Sequence, residues 1–287
     1  MALFIGVLVG AVAAGSALPP AGIWPLPKSS TCGAGVGGSL SPTFQLTATG
    51  AGATTDVVVA ALGRYKPILS PPAHAADAAD ADGTISKVTV AVASADDTLS
   101  HETDYSYTIQ ADSTSITATA ASPFGVAYAL ETLSQLMDKG QLKCSTLTVD
   151  DSVSSIRLPP SRHPCPHRLL PVSGVNPTGT ALKLFKCAQP QFSHRGLMID
   201  TGRRFYPVPF VKSIVDGLAM SRMNVLHFHL SEECFRVESK TFPELTAPNS
   251  CAKGNGNNTA FYTHADIADL VAYSRLRGVR VLPEVRF

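Results

Sequence analysis

The sequence predicts an α/β chain in two parts, a small α+β layer followed by parallel βαβ repeats. Two patterns carry this reading: apolar and polar side chains alternate with period two in several segments before residue 122, and from residue 192 strand-like runs alternate with helical periodicity. The chain has 287 residues, 45% apolar and 16% charged, which is enough to bury roughly two ordinary cores.

The leader MALFIGVLVGAVAAGSALPP is apolar from Ala2 to Ala14 and then turns to small residues. That is the pattern of a secretory signal peptide, so residues 1–17 are expected to be removed near Ala17. Residues 18–41, Gly- and Ser-rich, read as loop. Thr43–Thr49, Lys87–Ala93, Asp104–Ala111 and Ser115–Ala121 alternate as half-buried strands do, and Asp112-Ser113-Thr114 is short enough to make a hairpin of the last pair. Val57–Leu69 reads as a helix, and Ser70–Gly83 as a surface loop. Val126, Leu130, Leu133 and Met137 fall on one stripe, which predicts an amphipathic helix over Ser122–Asp138 that Gly140 ends. These elements define an α+β domain over residues 42–150.

Residues 151–190 carry seven prolines and no sustained periodicity, which reads as a linker or insertion. His163 and His167 flank Cys165 there, but without a fourth ligand the stretch is plain loop. In residues 191–287, Gly196–Asp200, Val225–Leu230 and Val279–Leu282 read as strands. A helix near Pro207 buries Val211, Ile214, Val215 and Leu218. A second helix opens with Thr263 and Asp266 in capping-box spacing and stops at Gly278. Three βα repeats fit in residues 195–287, where a closed eight-stranded barrel takes about 250. The repeats themselves predict parallel βαβ units behind the α+β domain; that they are about three strands of an incomplete (β/α)8 TIM barrel is what the resemblance of these segments to a known barrel family implies.

In such barrels the chemistry sits at the C-terminal ends of the strands. Asp200, Arg203 and Arg204 follow the first strand, His229 and Glu232 the second, and Glu284 the third. His227 and His229 share a face, being two apart on a strand. An HxH pair can bind zinc in a metal-dependent hydrolase, but that needs more ligands from later strands, so no metal is expected. Glu232 and Glu233 read either as sugar-hydroxyl acceptors or as a solvated pair; Glu238 and Glu244 read as loop-ordering or surface carboxylates. The formal charge of +1 with scattered basic residues gives no footprint for nucleic acid, and no stretch beyond the leader is apolar enough for a membrane span. Six cysteines, Cys32, Cys144, Cys165, Cys187, Cys234 and Cys251, are disulfide candidates in a secreted chain, and Cys234 with Cys251 brackets one barrel loop. Asn257-Asn258-Thr259 is a glycosylation sequon.

HRGLMIDTGRRF (His194–Phe205), VLHFHLSEE (Val225–Glu233), VESKTFPEL (Val237–Leu245) and YSRLRGVRVLPE (Tyr273–Glu284) together resemble the opening of the catalytic barrel of the β-N-acetylhexosaminidases, the family-20 glycoside hydrolases. ASPFGVAYALETLSQLM (Ala121–Met137) resembles their non-catalytic accessory domain. The resemblance implies retaining, substrate-assisted removal of terminal β-linked GlcNAc or GalNAc from glycans, without a cofactor. It also implies a secretory-pathway protein, extracellular or lysosomal/vacuolar, and a homodimer at full length. It assigns Arg195 to sugar binding through the RG motif, against the structural salt bridge that its strand-start position favours, and it places Asp200, His229 and Glu232 in the substrate pocket.

The family's catalytic Asp-Glu pair closes the fourth strand, and no Asp-Glu dipeptide occurs in this sequence. Trp24 is the only tryptophan, where the family lines its pocket with several, and Arg286 stands where the family has an aspartate. No catalytic residue is therefore expected among the 287, which are expected to be inactive alone. The alternative is a non-catalytic glycan-binding protein built on the same fold.

Overall fold

The computed structural model describes residues 23–71, 83–151, 192–232, 234–246 and 260–286. The leader, the Pro-rich stretch with His163, Cys165, His167 and Cys187, the Asn257 sequon, Cys251 and Glu233 lie outside the described residues.

The N-terminal half is a mixed sheet of eight strands: β1 (Ser29–Cys32), β2 (Ser39–Thr49), β3 (Thr84–Val92), β4 (Tyr107–Ala111), β5 (Ile116–Ala120), β6 (Met137–Asp138), β7 (Gln141–Leu142) and β8 (Leu147–Asp150), in the order β1-β8-β4-β5-β3-β2-β7-β6. Helices α1 (Asp56–Leu69) and α2 (Pro123–Leu136) pack on it. The alternation seen in the sequence has the expected cause. Val88, Val90 and Val92 of β3, Tyr107 and Ile109 of β4, and Ile116, Ala118 and Ala120 of β5 all face one core, while the intervening residues stay wetter. The hairpin forms at Asp112, whose carboxylate accepts from the backbone of Thr114 and Ser115, both at 2.8 Å.

Two expectations are corrected. Residues expected as loop up to Ser41 supply β1 and the first residues of β2. Nothing in Ser29–Cys32 alternates; the strand exists because β8, itself not foreseen, pairs with it antiparallel and a Cys32–Cys144 disulfide fixes that edge. The helix expected to Asp138 ends at Leu136, because Met137 and Asp138 turn into β6, with Lys139 (φ 48) and Gly140 (φ 87) making the left-handed turn to β7.

Helix α2 begins where Ser122 accepts from the Phe124 N–H, with Pro123 in the first turn. The sequence marks one apolar stripe on it, yet every residue from Pro123 to Leu133 is buried. Its second face lies against the C-terminal half, where the Tyr128 hydroxyl donates to the Arg222 carbonyl at 3.0 Å; Tyr105, before β4 and stacked on Tyr128, donates to the Gly278 carbonyl at 2.9 Å.

The C-terminal half is a three-stranded parallel sheet, order β11-β10-β9, of β9 (Gly196–Asp200), β10 (Val225–His229) and β11 (Arg280–Glu284). Helices α3 (Val208–Met220) and α4 (His264–Arg275) cross between them, and the Thr263–Asp266 capping box is formed. One face of the sheet packs Ile199, Leu226 and Phe228 against Val211, Val215, Leu218 and Leu270. Each such large side chain contributes roughly 1.5–3 kcal/mol by leaving water. The opposite face carries Met198, His227 and Leu282 in one row and Asp200, His229 and Glu284 in the next. Met198 and Leu282 are exposed. Among the described residues no helix is long and apolar enough to cross a membrane.

Candidate functional site

The parallel register sets Asp200, His229 and Glu284 side by side at the C-terminal ends of adjacent strands, on the face away from α3 and α4. Glu284 is the hub. Its Oε2 lies 2.7 Å from Nε2 of His227 and 3.0 Å from Nδ1 of His229, the latter outside hydrogen-bond alignment. Nε2 of His229 sits 3.2 Å from Oε1 of Glu232. Arg203 joins Asp200 at 3.0 Å and reaches Glu232 at 3.8 Å, and Arg286 spans Glu232 (3.3 Å) and Glu284 (3.2 Å). His229 is only 3% exposed at the base of this cluster, whereas Arg203 and Arg286 form its exposed rim.

The loops are held close by buried polar contacts. The Thr201 hydroxyl donates to the His229 carbonyl at 2.7 Å, and Arg236, also buried, donates to the carbonyls of Thr201 and Ala260, each at 2.9 Å. Gly202 is needed there for space: a Cβ would lie 2.5 Å from the Glu232 nitrogen. The sequence signal that could have marked this approach is a glycine two residues past the end of β9; nothing in the sequence marks Arg236.

Asp200, His229 and Glu232 are thus brought together. Arg195 is not with them. It lies at the opposite end of β9, where Nε donates to the Arg222 carbonyl (2.8 Å), Nη1 to the Phe192 carbonyl (2.8 Å) and Nη2 to the Tyr128 hydroxyl (2.9 Å), with Tyr105 stacked beside it. Arg204 points to Tyr206 rather than into the cluster. Glu238 orders a loop, accepting from the His264 N–H at 2.8 Å. Cys234 is buried, and its expected partner Cys251 is outside the described residues.

The close approach of the His229 ring and the hydrogen bond from His227, then that from Arg286, hold the Glu284 carboxyl at about 2, far below the ordinary carboxylate range. A group so acidic is a permanent anion and acceptor, the opposite of the neutral acid that protonates a leaving group. Because its folded value is depressed, its stabilising effect is present above the ordinary carboxylate range and is lost as pH falls toward 2. A carboxyl 13C titration is expected to place the Glu284 midpoint near 2, and the double change His227→Asn and His229→Asn to move it upward. A midpoint in the ordinary range in the unmodified chain would disprove that coupling. Among the described residues no group of three or more His, Cys, Asp or Glu is arranged to hold a metal ion.

The model of the family described as glycosyl hydrolase family 20, catalytic domain, matches residues 192–287, and that described as beta-acetyl hexosaminidase like matches residues 23–136. The chain belongs to glycoside hydrolase family 20, of which it covers only part. Over 96 residues it is 43% identical to human β-hexosaminidase subunit beta, a match covering 33% of this chain and 16% of that protein. Over 190 residues it is 32% identical to the β-hexosaminidase of Emericella nidulans, covering 65% of this chain and 25% of the relative. These matches span between about a sixth and a quarter of the length of the curated relatives.

Among solved structures it is similar to the chitobiase of Flavobacterium johnsoniae, with a TM-score of 0.65 at 22% identity over 92% of this chain and 34% of that one. It is also similar to the N-acetyl-β-hexosaminidase of Streptomyces plicatus in complex with Thio-NAglucal, with a TM-score of 0.63 at 18% identity over 92% and 46% of the two chains. At those identities the likeness is one of fold: a mixed α/β architecture common to this family-20 chain and its solved relatives.

Proposed function

We propose that this family-20 chain is the front of a β-N-acetylhexosaminidase acting on terminal non-reducing GlcNAc or GalNAc residues of glycans. Residues 191–287 are then the first three-eighths of a (β/α)8 barrel, residues 42–150 its accessory domain, and residues 151–190 the connection between them. The row of Asp200, His229 and Glu284 across three neighbouring strand ends supports this reading above all, because it builds one wall of a mouth where such barrels bind their substrates. Met198 and Leu282, exposed on the same face, are positions that further barrel strands would cover.

In the mechanism this implies, the sugar's own 2-acetamido oxygen attacks the anomeric carbon and closes an oxazolinium-like ring. A neutral glutamic acid protonates the leaving oxygen and a neighbouring aspartate orients the acetamide. The present residues do other work. Asp200 and Glu232 are acceptors for sugar hydroxyls, and His229, fixed between Glu232 and Glu284, is the contact at the base. Arg195 enters as a sugar ligand through the family motif alone; in its present contacts it ties β9 to α2. The Cys32–Cys144 disulfide supports an oxidising, secretory compartment, extracellular or lysosomal/vacuolar, where the signal peptide and the Asn257 sequon also belong; a homodimer is the assembly proposed for the full-length enzyme.

The 287-residue polypeptide, having no Asp-Glu pair, is expected to release no aryl product above blank from an aryl β-N-acetylglucosaminide. Turnover that co-purifies to homogeneity and disappears in His229→Ala would overturn that expectation. The hydrolase reading itself is tested by the transcript beyond codon 287: a continuation into a strand ending in Asp-Glu is expected, and a message without one removes it.

A further inference from the structure

A cavity of about 370 Å³ opens between α1, α2 and α3, and none of Asp200, His229 and Glu284 lines it. Its volume is in the range of small-molecule sites. Two guanidinium groups line it, Arg64 from α1 and Arg277 from just after α4, together with two carboxylates, Asp216 and Glu131.

The charges are unequally matched. Asp216 is committed: it is bound by the Nε of Arg277 and accepts from the Tyr273 hydroxyl, whose ring lies under the Arg277 guanidinium at 3.4 Å. Glu131 has both oxygens occupied, by the Tyr65 hydroxyl at 2.8 Å and by Gln135 Nε2 at 3.0 Å. Arg64 donates through Nη1 to the neutral Leu276 carbonyl at 3.0 Å and has no carboxylate within ion-pair distance among the described residues. Burial first, and then the like charge of Arg277, disfavour its protonated form, and the more distant Asp216 offsets them only in part. A half-buried guanidinium with spare donors favours a carboxylate, sulfate or phosphate oxygen. Apart from Ser134 and the Tyr65 hydroxyl, the rest of the wall is apolar, with Ile68 and Met220 exposed at the mouth.

We propose that this cavity is a second ligand site, taking a small amphipathic anion whose single charged head meets Arg64 and whose apolar body lies along Ile68 and Met220. The site is independent of the glycosidase reading, since it lies on the helical side of the junction and uses none of the strand-end residues.

Phenyl sulfate titrated into the 287-residue chain by calorimetry tests it, with phenol and inorganic sulfate as the two half-ligands. Saturable one-to-one binding is expected, with each half-ligand about tenfold weaker or worse. Arg64→Gln and, separately, Ile68→Glu at the exposed mouth are expected to weaken phenyl sulfate by about tenfold, while Arg203→Gln at the strand-end cluster leaves it unchanged. Ile68→Glu keeps the test decisive if Arg64→Gln fails to fold. No saturable binding, binding indifferent to both cavity changes, loss through Arg203→Gln, or equal binding of inorganic sulfate would each overturn the proposal.

Discussion

Replacing Cys32 and Cys144 together by alanine is expected to lower the unfolding free energy by about 4 kcal/mol, as removal of a cross-link closing so long a loop does. The two cysteines are 112 residues apart in the chain, and the bond joins the segment before β2 to the segment before β8. What the cross-link saves is the entropy of bringing those distant segments together, because among the described residues β1 pairs only with β8, along the edge of the sheet. The Cys144 side chain is also fully buried, so alanine leaves a small void. Urea unfolding of parent and variant without reductant measures the difference. A loss below about 1 kcal/mol would mean that the β1–β8 hydrogen bonds close the loop unaided.

That edge also shows where sequence reading stops. The interior strands β3, β4 and β5 were legible because a half-buried strand writes its two faces into the chain as alternation. Ser29–Cys32 and Leu147–Asp150 are four residues each, too short for a period to be seen, and their strand character comes from each other. The capping box at Thr263 was legible for the opposite reason, since its hydrogen bonds are local. Helix α2 was located correctly but read as one-sided, because polar residues such as Glu131 and Thr132 cover its second face and find their partners on distant segments.

The strand-end cluster divides in the same way. Asp200, His229 and Glu284 could be placed together by counting, because parallel strands carry their C-terminal residues to one edge. What counting could not give is the pairing within the cluster: that Glu284 holds both histidines, and that Arg286 neutralises two carboxylates rather than standing apart from them. Arg195 is the sharper case. Its place in the RG motif points to sugar, while its position at the start of β9 favours a structural contact, and the contacts present are to the Tyr128 hydroxyl and the Arg222 and Phe192 carbonyls.

Arg222 anchors that junction, and Arg222→Ala is expected to cost about 3–5 kcal/mol at pH 7, the range for breaking a buried ion pair from one side. The residue is 4% exposed, lies 3.6 Å from the Asp151 carboxylate, bonds Thr132 Oγ1 and sits over the Tyr107 ring at 5.5 Å, so one side chain after α3 gathers α2, β4 and the end of β8. Its backbone is left-handed (φ 54), a conformation glycine adopts without strain. Arg222→Gly is accordingly expected to be less damaging than Arg222→Ala by about 1 kcal/mol, although it removes more atoms.

The pH dependence identifies the cause. Burial raises the Asp151 carboxyl above its ordinary value and Arg222 pulls it back down. A carboxyl that holds its proton more tightly folded than unfolded makes the protein less stable as pH rises through that window. Without Arg222 the window extends upward, so the deficit of Arg222→Ala should be largest at neutral pH and shrink in acid as Asp151 protonates. Asp151→Asn placed in the same chain should remove the pH dependence and recover part of the loss. A deficit identical in neutral and acid solution and untouched by Asp151→Asn would mean that the Arg222 side chain holds the two halves together by packing on Tyr107, with its charge irrelevant.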